Sequence, residues 1–304
     1  MLSVGEVGLV DSNCMSAYER HSQKTGFDVS TATLKVAGAE IPVLGFGTFG
    51  MQGPKLQNLL VAALQEGFRH IDTAQIYRNE ADVGAAIRMS RVPRSKVFIT
   101  TKVWVNNYSR TNFMASVDES LRNLQTDYID LLLAHWPRGG APIADQVAGL
   151  NRAVETGKVR HIGVSNYNAD MMRVAGSLSR HPVVTNQVEY HPFLDQSVLL
   201  GQIASSKSSL MAYCGMAVGR VFQTRLLKEI AARYDRSVAQ VVLRWLVQQQ
   251  RVVALTRTEN LGRVSENVRI FDFVLSDADM TAIANLRVAD SRIVNPAQLA
   301  PAWD

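Results

Sequence analysis

The sequence predicts an α/β protein, namely a single (β/α)8 TIM barrel with an N-terminal β-hairpin and a C-terminal loop and helix. Short apolar strand segments alternate with amphipathic helical segments along nearly the whole chain, and eight such strands are counted. The length of 304 residues suits one barrel of roughly 250 residues with additions at its ends. No linker rich in Pro, Gly or Ser divides the chain. A doubly wound open sheet is the alternative that the same alternation permits.

The chain begins with a polar segment that has no hydrophobic period. We therefore expect residues 1–30 to form a flexible extension ahead of a barrel domain at residues 31–304. The segment TATLKVAGAEIP, which starts at Thr31, alternates apolar and polar residues around a Gly. This pattern predicts a short hairpin.

The barrel strands and helices follow in order. The eight predicted strands are PVLGFG, FRHID, VFITTKV, YIDLLLAH, HIGVS, VTNQVEY, LMAY and RVVALT. A one-sided apolar stripe follows each strand, and the first consists of Leu56, Leu59, Leu60, Ala63 and Leu64. Near the end, Ser237 is a predicted N-cap, residues 260–267 form a predicted helix, and Ser276 with Asp279 resembles a capping box.

The composition excludes several classes of protein. The hydrophobic fraction of 47% provides a sizeable core, and no apolar run reaches the ~18 residues of a membrane span. No signal peptide is visible in residues 1–30, and the two cysteines, Cys14 and Cys214, provide no disulfide framework, so we expect a cytoplasmic protein. The net charge of +5 fits either a solvated surface or a field that attracts anions. No basic run interleaved with aromatic residues indicates nucleic acid binding.

A glycine pattern offers a competing interpretation. The stretch GFGTFG, Gly45 to Gly50, fits the G-x-G-x-x-G turn that binds pyrophosphate in Rossmann dehydrogenases. Asp72 lies close to the position at which such a protein holds the ribose. Taken alone, this pattern predicts a dinucleotide site at the first βα turn.

Polar side chains end six successive predicted strands, and in a barrel the carboxyl ends of the strands form the functional face. In chain order they are Asp72, Lys102, His135, Ser165 with Asn166, Gln187 and Tyr213. Each residue alone has a structural explanation, such as a helix cap, a surface lysine or a core histidine. Their shared position at strand ends predicts one polar cluster at the barrel mouth.

Tyr77 follows Asp72 in the same loop and is the candidate proton donor. A free tyrosine has a pKa of about 10, and a cationic neighbour lowers that value. We expect Lys102 to supply the cation, Asp72 to hold Lys102, and His135 to donate a hydrogen bond to a substrate oxygen. These groups together suit the protonation of a carbonyl oxygen. A rim tyrosine that only packs in the loop is the alternative.

Other catalytic classes lack their sequence patterns. Neither an H-E-x-x-H motif nor a Cys/His cluster is present, so we expect no metal site. No G-x-S-x-G elbow indicates a serine nucleophile. A site that protonates a carbonyl oxygen without a metal needs a reductant. We therefore expect the partner of this protein to be a small-molecule carbonyl compound.

The C-terminal third contains a candidate cofactor site. Arg257 and Thr258 precede a predicted helix N-terminus, where free N–H groups bind phosphate. Arg263, Glu266 and Asn267 are spaced to share one helix face, which we expect to bind adenine and a 2′-phosphate. A salt-bridged solvent face is the alternative. Tyr213 is placed to stack on a nicotinamide ring.

Several segments together resemble the aldo-keto reductase family over residues 31–304. They are DTAQIYRNEADVG, FITTKVW, LLLAHWP, GVSNY, TNQVEYHP and TRTENLGRVSEN. The resemblance implies a (β/α)8 barrel that reduces carbonyl compounds with NADPH and has an acid tetrad of Asp72, Tyr77, Lys102 and His135. It implies nicotinamide contacts at Ser165, Asn166, Gln187 and Tyr213, and adenosine contacts at Arg257, Thr258, Arg263, Glu266 and Asn267. It also implies that GFGTFG is a barrel strand and loop, since only one short strand, interrupted by Pro42, precedes it.

Within the family, DTAQIYRNEA, YCGMAVGR and LAPAWD are similar to a bacterial group that reduces 2,5-diketo-D-gluconate to 2-keto-L-gulonate and methylglyoxal to hydroxyacetone. We expect a monomer with a substrate pocket walled by Phe49, Trp104, His135, Trp136 and Trp303. Phe49 stands where many members have Trp, and Arg257 replaces the commoner Lys while keeping the charge that favours NADPH. A cofactor-binding regulatory module with little catalysis is the alternative function.

Overall fold

The computed structural model describes residues 32–304 and shows a closed barrel of eight parallel strands. The strands are β3 (Leu44–Gly47), β4 (His70–Asp72), β5 (Phe98–Val103), β6 (Ile129–Ala134), β7 (Val159–Ser165), β8 (Val183–Glu189), β9 (Ser209–Tyr213) and β10 (Val252–Thr256). β10 pairs with β9 on one side and with β3 on the other, which closes the sheet. The predicted (β/α)8 barrel is confirmed, and the doubly wound open sheet is wrong. The predicted extension at residues 1–30 lies outside the described residues.

A hairpin precedes the barrel, as the alternating sequence predicts. β1 (Thr33–Val36) pairs antiparallel with β2 (Ala39–Pro42). The turn places Ala37 at φ 46° and Gly38 at φ 87°, and two left-handed residues in succession are typical of a tight hairpin turn. Apolar hairpin residues, Val36 and Ile41 among them, pack on side chains near the starts of the barrel strands, such as Val253. The hairpin therefore covers the N-terminal end of the barrel and leaves the carboxyl ends of the strands for the site.

Helices surround the barrel and bury one face each against it. They are α1 (Gly53–Gln65), α2 (Glu80–Ser90), α3 (Asn112–Leu124), α4 (Ile143–Glu155), α5 (Ala169–Leu178), α6 (Ser197–Ser206), α7 (Arg225–Arg233), α8 (Val238–Gln248), α9 (Leu261–Val268) and α10 (Asp277–Ala284). All five residues of the first predicted stripe are buried in α1. Ser237 caps α8 in a reciprocal capping box with Gln240, and Ser276 caps α10 by accepting from the Asp279 N–H. Both predicted N-caps are confirmed, but the Ser276 N–H donates to the Tyr234 hydroxyl at 2.9 Å instead of to Asp279, so the predicted capping box at α10 is only half formed.

Three strands begin two residues away from the predicted start. β3 begins at Leu44 instead of Pro42, because Pro42 pairs with Thr33 in the hairpin. β4 is shorter than FRHID, because the Phe68 N–H donates to the Ala63 carbonyl at the end of α1 at 2.9 Å and is not available to the sheet. β7 begins earlier than HIGVS, at Val159, where it pairs with Ile129 of β6. Within residues 32–304, no helix combines the length and the apolar character that a bilayer crossing requires.

Candidate active site

A buried ion pair lies at the carboxyl ends of β4 and β5. The Lys102 ammonium donates to Asp72 Oδ1 at 2.7 Å and to the Thr73 carbonyl at 2.8 Å. Lys102 is only 1% exposed. The second carboxylate oxygen of Asp72 accepts from Gln187 Nε2 at 2.6 Å. Both oxygens of Asp72 are therefore satisfied, as a buried charge requires, and Lys102 is oriented by two acceptors.

Tyr77 lies beside this pair at the barrel mouth. It ends a short 3₁₀ helix, Gln75–Tyr77, which stops where Arg78 adopts a left-handed backbone at φ 55°. The Tyr77 carbonyl accepts from Gln52 Nε2 at 3.0 Å, so the loop is tied to the segment before α1. The Lys102 Nζ atom lies 5.1 Å from the centre of the Tyr77 ring. The structure thus brings together the predicted acid and the predicted ammonium.

The pKa of Tyr77 contradicts the expectation drawn from the sequence. Withdrawal from water raises the pKa of the Tyr77 hydroxyl, and the charge of Asp72 raises it further. Lys102 does not offset this rise, because its ammonium is balanced by the Asp72 carboxylate at 2.7 Å. In the protein alone, Tyr77 therefore keeps its proton throughout the neutral pH range, which is the state that a proton donor needs.

His135 follows β6 and faces Tyr77. The two rings meet edge-on with centroids 5.8 Å apart, and the Trp104 ring meets His135 at 5.3 Å. Burial lowers the pKa of His135 well below its usual value, and the charge of Lys102 lowers it further. The imidazole is therefore neutral and has one N–H donor. Its buried Nδ1 atom has no hydrogen-bond partner within the described residues.

The ends of β7, β8 and β9 form one hydrogen-bonded group. Asn166 adopts φ 63°, a conformation that Asn tolerates better than most residues. Its amide nitrogen donates to the His135 carbonyl at 3.0 Å, and its oxygen accepts from the Tyr213 hydroxyl at 2.7 Å. Ser165 Oγ donates to the Gln187 carbonyl at 2.9 Å. The four predicted nicotinamide residues are thus neighbours, although the amide nitrogen of Gln187 faces Asp72.

A separate open cleft of about 420 Å³ lies after β10. Its lining residues are Arg257, Thr258, Glu259, Asn260 and Arg263. Asn260 caps α9 by accepting from the Gly262 N–H at 2.9 Å, which confirms a helix N-terminus close to the predicted boundary. The cleft coincides with the predicted adenosine site, and none of its lining residues belongs to the acid group.

The charged side chains of this cleft interact with one another. Arg257 Nε donates to the Phe49 carbonyl at 2.7 Å, and its Nη2 donates to Glu259 at 2.7 Å. The other oxygen of Glu259 pairs with Lys55 at the start of α1. The sequence analysis did not assign Glu259 or Lys55, although an acid two residues after Arg257 was visible. This pairing links the strand-end loop of β10 to the β3 loop.

The three predicted residues of α9 differ in exposure. Arg263 is exposed and Glu266 is partly exposed, whereas Asn267 is buried and donates to Thr256 Oγ1 at 2.9 Å. The predicted shared face therefore presents Arg263 most fully. The adenosine contacts of Glu266 and Asn267 stay predictions.

The residues predicted to wall the substrate pocket differ in exposure and in surroundings. Phe49 is 65% exposed and meets the Tyr77 ring at 5.1 Å, so it stands at the mouth beside the acid. Trp136 is buried in the core between barrel and helices, with its backbone N–H and carbonyl both bonded to the Tyr108 hydroxyl. A role for Trp136 as a pocket wall stays a prediction. Trp303 is half-buried and packs under Arg292, a residue that the sequence analysis did not assign.

Within residues 32–304, no three or more His, Cys, Asp and Glu side chains converge as a metal site.

A family match, sequence relatives and a solved structure all indicate the same family. The Aldo/keto reductase family matches residues 43–288. The chain is 37% identical over 269 residues to "Methylglyoxal reductase DkgB" of Salmonella typhimurium, covering 87% of this chain and 99% of that protein. It is 37% identical over 263 residues to "Glyoxal reductase" of Bacillus subtilis, covering 86% and 95%. The crystal structure of a protein assigned as a 2,5-diketo-D-gluconic acid reductase B superimposes with a TM-score of 0.89 at 52% identity, covering 91% of this chain and 99% of that chain.

Proposed function

The chain belongs to the aldo/keto reductase family, and we propose that it is an NADPH-dependent reductase of methylglyoxal and 2,5-diketo-D-gluconate. One observation carries the chemistry: Tyr77 stands at the barrel mouth beside both the buried Lys102–Asp72 pair and His135. These groups meet the needs of a site that protonates a carbonyl oxygen.

Tyr77, Lys102 and Asp72 each have a separate role in the proposed reaction. When bound, NADPH supplies a hydride to the carbonyl carbon. As the carbonyl oxygen gains negative charge it becomes a stronger base than a phenolate, so Tyr77 gives up its proton despite a raised pKa. Lys102 is the nearby cation that stabilises the phenolate left behind. Asp72 keeps Lys102 in place.

His135 positions the oxygen. Because no acceptor lies beside Nδ1, nothing in the described residues favours placing the single imidazole proton there. Nε2 is then the donor that directs the carbonyl oxygen toward Tyr77. The aromatic rings of Trp104 and Phe49 shield this point from water on two sides.

The cleft after β10 suits the adenosine end of NADPH. Two arginines line it, and guanidinium groups bind phosphate through paired N–H donors. The start of α9 adds the positive end of a helix dipole. The Glu259 carboxylate would repel an anion, but it is held between Arg257 and Lys55. The net charge of Arg257, Lys55 and Glu259 together therefore stays positive. Arg257 and Arg263 are the residues proposed to bind the 2′-phosphate.

The substrates are proposed from the relatives. Their names include methylglyoxal, glyoxal and 2,5-diketo-D-gluconic acid. These compounds share a carbonyl carbon beside a second carbonyl or hydroxyl-bearing carbon. The expected products are hydroxyacetone and 2-keto-L-gulonate.

The test is a steady-state assay of the purified full chain without partners. Consumption of NADPH should depend on added methylglyoxal or 2,5-diketo-D-gluconate, and NADH should be the poorer donor. NADPH that binds but is not consumed with any carbonyl compound would instead favour the regulatory module.

Arg263 provides a test of the cofactor. We expect Arg263→Met to raise the Kd for NADPH about tenfold or more, because one charge-assisted contact to the 2′-phosphate is lost. The Kd for NADH, which lacks that phosphate, should change less. Fluorescence titration measures both constants. Arg269→Met, an exposed arginine just past α9, is the matched control. Equal losses for the two cofactors would contradict the 2′-phosphate assignment.

A further inference from the structure

The segment that follows α10 is anchored across the barrel at several points. The backbone N–H groups of Ile293 and Val294 donate to the two carboxylate oxygens of Glu189 at 2.8 and 2.7 Å. Ser291 Oγ donates to the Phe193 carbonyl at 2.6 Å. Glu189 is the last residue of β8, so these bonds fix the segment at the carboxyl end of the barrel. Arg292 lies between the anchored residues and its backbone position is therefore determined.

The guanidinium of Arg292 is held without an anionic contact. Its central carbon lies 3.5 Å from the centre of the Trp303 ring, and Trp303 is itself oriented by a 3.0 Å hydrogen bond from Nε1 to Asn295. The Nη1 atom is buried and has no hydrogen-bond partner in the described part of the chain. Within residues 32–304 the guanidinium also forms no ion pair. A stacked arginine keeps its N–H edges available for a ligand.

Nearby carboxylates do not balance this charge by contact. Burial lowers the pKa of Arg292, while Glu189, Tyr213 and Asp304 act in the opposite direction. The guanidinium stays charged, since an arginine is effectively always protonated. The Glu189 oxygens are occupied by Ile293, Val294 and His191, and Asp304 accepts from the Ala169 N–H. A partly buried charge left unpaired is costly, and an incoming anion would offset that cost.

Arg292 belongs to the same mouth as the acid group. Glu189, which holds the N–H groups of Ile293 and Val294, pairs in register with Tyr213 at the ends of β8 and β9, so Arg292 lies near Tyr213. The Arg292 charge also opposes the rise that burial causes in the pKa of Tyr213. The Tyr213 hydroxyl bonds Asn166, which in turn bonds the His135 carbonyl. Arg292 and the acid group therefore lie at the same end of the barrel and are connected through Tyr213, Asn166 and His135.

We infer that Arg292 binds the carboxylate of acidic carbonyl substrates and selects them over neutral ones. The inference rests on the proposed function and names the substrate class within it. Three observations support it: the unpaired Nη1 atom, the stacking on Trp303 and the position near Tyr213. A guanidinium suits a carboxylate because two parallel N–H groups match its two oxygens. Of the proposed substrates, 2,5-diketo-D-gluconate carries a carboxylate and methylglyoxal does not.

The experiment compares one aldehyde with and without its charge. The substrates are para-carboxybenzaldehyde and its neutral methyl ester, assayed with NADPH. For Arg292→Met we expect kcat/KM to fall about tenfold or more on the acid, the value of one charged hydrogen bond, and less than about twofold on the ester. Arg292→Lys should restore part of the loss. Arg287→Met, an exposed arginine in the same segment that pairs loosely with Asp195, should change neither value.

A binding measurement separates this inference from the proposed function. Calorimetry with the product-like para-(hydroxymethyl)benzoate needs no turnover. If the wild-type chain reduces neither aldehyde but binds this carboxylate in an Arg292-dependent way, the proposed function fails and the inference stands. Equal losses on acid and ester would show that Arg292 only supports the structure. Unchanged values on both substrates would show that its guanidinium does not reach them, and either result overturns the inference.

Discussion

Replacing Tyr77 with Phe is expected to lower kcat for carbonyl reduction about 100- to 10,000-fold, the usual contribution of a positioned general acid. The change removes one oxygen from a partly exposed ring and leaves the edge contacts with Phe49 and His135 available. The protein should therefore fold normally. No step that consumes the hydride can finish efficiently without a proton for the oxygen.

The loss should be confined to turnover. Binding of NADPH, measured by fluorescence titration, should stay within about twofold, because the cofactor cleft and Tyr77 are separate and such a change is small on the affinity scale. Tyr128→Phe is the control, since Tyr128 lies between the guanidinium groups of Arg94 and Arg160, away from the mouth. A Tyr77→Phe enzyme with near-normal kcat would exclude Tyr77 as the acid.

Replacing Lys102 with Met is expected to destabilise the protein by about 3–5 kcal/mol, the cost of leaving one partner of a buried ion pair uncompensated. The Asp72 carboxylate would keep only the Gln187 hydrogen bond to offset its burial. Adding Asp72→Asn should recover much of the lost stability, because the double variant no longer buries a charge. Urea unfolding of the two single variants and the double variant measures the coupling.

A surface ion pair provides the control for this cycle. Lys158 pairs with Asp118, and the two side chains are 34% and 40% exposed. We expect Lys158→Met to cost at most about 1 kcal/mol, as exposed pairs usually do. If Lys102→Met cost no more than that, the Lys102–Asp72 pair would not be the buried charged pair on which the proposed mechanism depends.

The sequence alone was sufficient for the barrel and for much of the site. Strand and helix periods are local properties, so eight strands, the hairpin and the caps at Ser237 and Ser276 could be predicted from neighbouring residues. A parallel barrel also places all strand ends on one face. Residues as distant as Asp72 and Gln187, 115 positions apart, could therefore be assigned to one cluster before any contact was known.

Properties set by distant neighbours were decided only by the tertiary structure. The pKa of Tyr77 rises because burial and the Asp72 charge outweigh Lys102, a balance that depends on distances in space. Arg292 is left unpaired because the nearby carboxylates are bonded elsewhere. The sequence determined which groups meet at the mouth, since strand order and period follow from local pattern. The charge states of these groups, and which of their hydrogen-bonding atoms stay unpaired, were decided only by the fold. Desolvation and Coulomb energies depend on every neighbour at once.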